Sequence, residues 1–273
     1  MNSDSISTDR DYLRQVQYGS ANNLNARIQI HKRFTNSTQA WEDFIFEHIP
    51  DLSGRCLLAL GCGNAVQWRK NQHRFAPDAI IVLTDISEGM LAEARSDLEG
   101  DSRFTLLCMD AAELEFEDES FDFVTANHML YHVPDIAQTL AEVARVLKPG
   151  GGMMAATNGA NYMLDLDMLL TEFWPVYGGL HTMSLKFNLQ NGAEQLRPWF
   201  GLVEKKFYLG DLWVTEAQAL VDYAYSLPRV QQLVPQDQRE PMREFFQARI
   251  ERSGGILIRK ETGLFLASQP KKA

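Results

Sequence analysis

Apolar residues along this chain fall into short runs of strand length, at residues 55–60, 79–84, 103–108, 121–126 and 153–157. Between them lie segments in which apolar positions recur at helical spacing: 65 to about 75, 87 to about 98, and 135–147. Ser87 suits an N-cap, and Lys148-Pro149-Gly150-Gly151 stops the third helix. Strand–helix alternation of this kind predicts a parallel sheet covered on both faces, with ligands at the carboxyl ends of the strands. Outside this block the pattern changes. Helix-like pieces precede it at 12–18 and 24–34, and a third carries Trp41, Phe44, Ile45 and His48 on one face. After Asn158 the spacing predicts a helix over 162–174, a strand over 200–208, and helices over about 215–226 and 236–252. Segments 256–260 and 264–267 then read as an antiparallel hairpin. The expected organisation is a helical arm over 1–50 and one α/β domain over 51–273, its insertions near 160–200 and 212–252 roofing the site. The arm, which carries Tyr12, Tyr18, His31 and Arg33, reads either as amphipathic helices packed on the domain or as a lid that excludes water.

Composition narrows the partners. A chain of 273 residues with a net charge of −10 and no basic run argues against nucleic acid or an anionic membrane as the main partner. The three cysteines, Cys56, Cys62 and Cys108, lie in or beside apolar runs and form neither a disulfide framework nor a zinc spacing, so no metal is expected. The first ten residues are polar and acidic, unlike a signal peptide, and no apolar run reaches membrane-spanning length. The expectation is a cytoplasmic monomer or homodimer acting on a small molecule.

Candidate chemistry begins where the first strand ends, in Leu57-Leu58-Ala59-Leu60-Gly61-Cys62-Gly63-Asn64. Two glycines between a strand and a helix let the chain turn sharply and let a ligand approach main-chain N–H groups. Asp85 ends the second strand about 24 positions later, where a carboxylate meets the ribose of a bound nucleoside; a helix-capping or loop carboxylate is the alternative. Val66 stands where a dinucleotide fingerprint wants a third glycine, which disfavours a pyrophosphate-bearing ligand. At the end of the third strand, in Cys108-Met109-Asp110-Ala111, a carboxylate and the next N–H suit the edge of adenine, or mark a solvated turn.

Together with Leu83-Thr84-Asp85-Ile86-Ser87-Glu88-Gly89-Met90, Phe121-Asp122 and Leu147-Lys148-Pro149-Gly150-Gly151, these motifs resemble class I S-adenosylmethionine-dependent methyltransferases of the type 11-like group, over about residues 55–157. Asn127-His128-Met129-Leu130-Tyr131-His132 is similar to some bacterial members. The resemblance implies a Rossmann-like seven-stranded sheet with one antiparallel strand from the last hairpin, and S-adenosyl-L-methionine as cofactor. It places Gly61 and Gly63 near the methionine moiety, Asp85 on ribose, Ile86 against adenine and Asp110 with Ala111 on the adenine edge, and Cys62, Asn64, Met90 and Met109 are also expected to bind the cofactor. Asn127 is expected beside the cofactor's amine. For methyl transfer, His128, Tyr131 and His132 are the candidate bases; each is alternatively a packed or loop-orienting side chain.

One position departs from the family. Ala59 stands where these enzymes usually carry the Asp or Glu that helps hold the cofactor's ammonium. An α-amino group has an ordinary pKa of about 7.7–8.0, and an adjacent carboxylate raises it; without one, a neutral and nucleophilic amine costs less, at about 1.4 kcal/mol per pKa unit. Ala59 therefore raises a second reaction, the azetidine-2-carboxylate synthase branch of the resemblance. In that reaction the cofactor's amine closes on its own γ-carbon and expels methylthioadenosine. Tyr18, Tyr162, Trp174 and Tyr177 are candidate aromatic faces for the sulfonium. A non-catalytic cofactor-binding regulator is the third reading.

Overall fold

The computed structural model describes residues 21–178 and 186–272; the helix expected over 12–18 and the candidate Tyr18 lie outside them. Helices α1 (Ala21–Phe34) and α2 (Trp41–Phe46) lead into β1 (Cys56–Leu60), α3 (Val66–Asn71), β2 (Ile80–Asp85), α4 (Glu88–Asp97), β3 (Phe104–Cys108) and β4 (Phe121–Asn127). There follow α5 (Ile136–Val146), β5 (Leu147–Asn158), α6 (Leu164–Phe173), α7 (Gly192–Leu196), β6 (Phe200–Tyr208) and β7 (Leu212–Val214). The chain continues through α8 (Ala217–Tyr225), α9 (Pro228–Leu233), α10 (Arg239–Ser253), β8 (Ile256–Ile258) and β9 (Thr262–Pro270).

Seven strands form one sheet in the order β3-β2-β1-β4-β5-β9-β6, with β9 antiparallel to both neighbours. Alternation along β1 shows why its residues are so uniformly apolar. Leu57 and Ala59 pack into the cluster with Ile81, Leu83 and Trp68, whereas Leu58 and Leu60 pack on the opposite face with Val124, Leu140 and Val143. α5 covers that second face; Asp135 caps it by accepting from the Gln138 N–H (3.0 Å), while Leu140 and Val143 point inward. Asp122 clamps the far end of the sheet, accepting from the Cys56 N–H (2.9 Å) and from Lys148 Nζ (2.8 Å).

The expected final hairpin is overturned. β8 pairs with β7 in a separate two-stranded sheet, in the register Leu212↔Ile258 and Val214↔Ile256, and β9 alone joins the main sheet. Burial explains the parting. Ile256 and Ile258 sink into the helical cluster with Leu212 and Val214, while Leu264, Phe265 and Ala267 belong to the two sheet clusters. Helices α6, α8 and α10 build that helical cluster, a roof that α1 joins through Ile30 and Phe34. Arg27 of α1 donates to Ser226 Oγ (3.2 Å) and to the Ser226 carbonyl (2.6 Å), which ties the front of the chain to the end of α8.

Candidate active site

The glycine turn follows β1. Gly61 and Gly63 both adopt left-handed backbone conformations, with φ of +61° and +58°. At Gly61 the requirement is also steric, since a Cβ would sit 2.8 Å from the Cβ of Met129 in the loop after β4. Around Gly63 a Cβ would meet nothing within 4 Å, so the space beside its Cα is open. Ala65 is left-handed as well (φ 56°), which delays the helix to Val66.

Hydrogen bonds lock the neighbouring strand tips together. The Cys62 N–H donates to the Thr84 carbonyl (2.8 Å), and Thr84 Oγ1 donates to the Ala59 carbonyl (3.0 Å). The Met109 N–H donates to the backbone carbonyl of Asp85 (3.0 Å). The Asp85 carboxylate spans the turn, accepting from the Gly63 N–H at one oxygen (2.9 Å) and from the Ser87 N–H at the other (2.8 Å). Burial pushes its pKa above the usual carboxylate range, against the pull of the Ser87, Gly63 and Ile86 N–H groups. Ser87 caps α4 by accepting from the Met90 N–H (3.4 Å), as its position predicts. Beside it, Ile86 is half-buried and Met90 buried. Asp110 accepts from the Ala112 N–H (3.0 Å), forming the turn in which Ala111 is buried. Asn64 points away from this group, toward Glu93 at the exposed rim (3.5 Å).

A small cavity of about 50 Å³ opens beside the turn, lined by Ala59, Gly61, Cys62, Gln67, Thr125 and Asn127. That volume, set against about 30 Å³ per water molecule, admits an ammonium or carboxylate group but no nucleoside. Asn127 Nδ2 donates to Gln67 Oε1 (3.3 Å), which leaves Asn127 Oδ1 and Gln67 Nε2 buried without partners. Reversing both amides leaves the same complement, one donor and one acceptor. Each costs about 1–3 kcal/mol until a ligand satisfies it. The α-amino acid end of a ligand, one donor and one acceptor a few bonds apart, matches this need. Ala59 is 2% exposed and contributes only a methyl group, so among the described residues this cavity is lined by neutral side chains.

Among the bases expected after β4, His128 is left-handed (φ 55°) and donates its N–H to the Ala156 carbonyl of β5 (2.9 Å). Its ring packs against Trp41 at 5.3 Å, and burial, with a smaller push from His132, lowers its pKa to about 4. Tyr131 is buried, with its ring 4.5 Å from His132 and 6.5 Å from His128. Met129 against Gly61 brings this loop to the turn. Of the aromatic faces expected in the roof, Tyr162 bonds His31 of α1 (hydroxyl to Nε2, 2.9 Å). Tyr177 instead lies in the roof core, with Arg229 donating to its backbone carbonyl (2.9 Å), and Trp174 packs at the edge of that core.

Two residues of this site have no signal in the sequence. Gln67 and Thr125 carry no motif; they are a polar side chain in the first turn of α3 and a threonine between Val124 and Ala126 of β4. His31 lies in the arm, and only the folded chain brings it to Tyr162. A second cavity, about 400 Å³, is lined among the described residues by α1 and the roof, including Gln29, Arg33, Asp222 and Arg239.

Residues 58–155 match a protein family described as a methyltransferase domain. Curated relatives include demethylmenaquinone methyltransferases of Clavibacter sepedonicus (36% identical over 113 residues; 41% of this chain, 45% of the relative) and of Lactococcus lactis subsp. lactis (30% over 162 residues; 56% and 64%). The chain spans about half the length of such relatives. Among solved structures, phosphoethanolamine N-methyltransferase 2 of Haemonchus contortus, in complex with S-adenosyl-L-methionine, is similar at a TM-score of 0.58 and 21% identity, over 96% of this chain and 60% of that one. The [4+2]-cyclase SpnF is similar at 0.57 and 17%, over 97% of each chain. The fold is that of class I methyltransferases.

Proposed function

We propose that this chain is an S-adenosylmethionine-dependent enzyme that transfers the methyl group to a small-molecule acceptor. The observation that carries the reading is Asp85, a half-buried carboxylate fixed by the Gly63 and Ser87 N–H groups at the tip of β2, beside a glycine turn with open space at Gly63. In this reading Asp85 accepts from the ribose hydroxyls, Ile86 and Met90 flank the nucleoside, and Asp110 with Ala111 meets the adenine edge. The unpartnered atoms of Asn127 and Gln67 hold the amino-acid end. When bound, the cofactor supplies an electrophilic methyl group on a sulfonium. Acceleration then rests on holding the acceptor in line, and the loop around His128 and Tyr131, with the roof above it, would do the holding. The curated relatives support the cofactor half of this reading. The roof lies beyond residues 58–155, which the methyltransferase family matches, so the relatives' quinone-type acceptor is not carried over.

The uncharged surroundings of Ala59 favour a second reading, ring closure of the cofactor itself. There the amine nitrogen bonds to the γ-carbon as the carbon–sulfur bond breaks, its electron pair leaving with methylthioadenosine, and the amine proton is lost to a base or water. Neutral amides at the amine leave it easier to deprotonate than a carboxylate would. Incubation of the purified chain with S-adenosylmethionine alone separates the two. S-adenosylhomocysteine formed only after a metabolite extract is added supports methyl transfer. Methylthioadenosine formed without any acceptor, together with a cyclic amino acid, supports ring closure. Neither product under either condition overturns both.

A further inference from the structure

The two edges of the main sheet are built differently. β3 closes one edge with five residues, and so short a strand offers little for another chain to pair with. β6 closes the other with nine, in unbroken register against β9 and free of proline, about 30 Å of strand at ~3.4 Å per residue. Among the described residues no strand pairs with its outer side, so alternate N–H and C=O groups there lack a ladder partner. The same stretch exposes apolar surface: Leu202 is 47% exposed, Phe207 52% and Leu209, just past the end of the strand, 80%. Lysines commonly guard such an edge, and β6 carries two. Both are engaged within their own chain. Lys206 pairs with Glu204 (2.9 Å), and Lys205 Nζ donates to the Leu189 carbonyl (2.8 Å) beside the Phe207 ring.

We propose that the outer edge of β6 is a two-fold interface at which a second copy of this chain pairs antiparallel, with Lys205 on the axis. When a strand pairs with its own copy, one residue must face itself, because opposite side chains share a face and successive ones do not. Centred on Lys205, Glu204 faces the partner's Lys206 and Lys206 faces the partner's Glu204, so symmetry supplies two opposite-charge pairs. On the other face Val203 meets the partner's Phe207, and Gly201 meets the partner's Leu209. Centring on Glu204 sets carboxylate against carboxylate and Val203 against lysine; centring on Lys206 sets ammonium against ammonium and Phe207 against lysine. In the favoured register only Lys205 meets its own kind, and its ammonium is already drawn aside to Leu189. The occupant is a second copy because the order of charges along β6, read in reverse, is its own complement. Nothing in the pairing depends on the nucleoside reading.

Sedimentation velocity on the full chain provides the test. In the micromolar range the wild-type protein is expected at twice the mass of one chain. Glu204→Lys sets lysine against lysine across the axis, and Lys206→Glu sets glutamate against glutamate, so each alone should self-associate at least about tenfold more weakly. Both side chains are exposed on the single chain, so neither change removes a buried contact. An equimolar mixture of the two variants restores opposite charges at both positions and should recover the wild-type mass. Neither chain in that mixture keeps its own Glu204–Lys206 pair, so the recovery reports on contacts between chains alone. A wild-type protein that stays monomeric throughout the micromolar range overturns the proposal, whatever the variants do. Dimers that survive both single changes put the interface elsewhere and overturn it too, as does a mixture that stays monomeric.

Discussion

The sheet and the roof solve different problems with different materials. At the tips of β1, β2 and β3 the polar groups are main-chain N–H groups and the half-buried Asp85 carboxylate, joined by short hydrogen bonds beside two left-handed glycines. In the roof the polar groups are side chains from distant elements, such as His31 to Tyr162 and Arg27 to Ser226, threaded through an apolar cluster. Backbone recognition suits a ligand that every cycle presents in the same form, because it is rigid before the ligand arrives. Recognition by side chains is more easily re-specified, which is what an acceptor site demands. The division teaches where each kind of change should act.

Asp85→Asn would break the sheet side most severely. A hydrogen bond to a charged group contributes about 1.5–3 kcal/mol and tenfold in affinity is about 1.4 kcal/mol, so calorimetry should show S-adenosylhomocysteine affinity falling roughly a hundredfold. The contrast sharpens if Tyr162→Phe in the roof leaves that affinity nearly unchanged.

Gly61→Ala should cost roughly 2–4 kcal/mol of stability, since it combines a left-handed alanine with a Cβ pressed on Met129. Gly63→Ala, which has room for its Cβ, should cost only about 1–2 kcal/mol in urea unfolding. Equal losses at the two positions would contradict the steric part of the argument.

Acid provides the mildest probe. His31 and His128 have folded pKa values of about 3 and about 4, against 6.5 for an ordinary histidine. Between those values the unfolded chain binds more protons than the folded one. Stability from keeping these rings neutral is therefore complete above about pH 6.5 and lost as pH falls, by up to ~1.4 kcal/mol per unit for each ring. His128→Asn, which tolerates the left-handed backbone, should flatten the decline between pH 6.5 and about 4. An unchanged slope would show that His128 is not buried as described.

The same contrast explains what the sequence could reveal. The glycine turn, Asp85 and Ser87 are legible because a backbone conformation or cap admits few residue types, and their spacing is local. The roof was misread at the hairpin because residues 256–258 and 262–270 are both short apolar runs, and only the partner buried beneath each decides its pairing. Gln67 carries no signal for a related reason, and the arm's His31 none of its bond to Tyr162: the role of an amide or imidazole is defined by its neighbours in space, and these come from β4 and from the loop before α6.

A crystal structure with S-adenosylhomocysteine bound tests the central claim most directly. The account predicts both ribose hydroxyls within hydrogen-bonding distance of the Asp85 carboxylate, with the amino-acid end reaching Asn127 and Gln67. A nucleoside seated in the α1–roof cavity, or with its ribose turned away from Asp85, would contradict it.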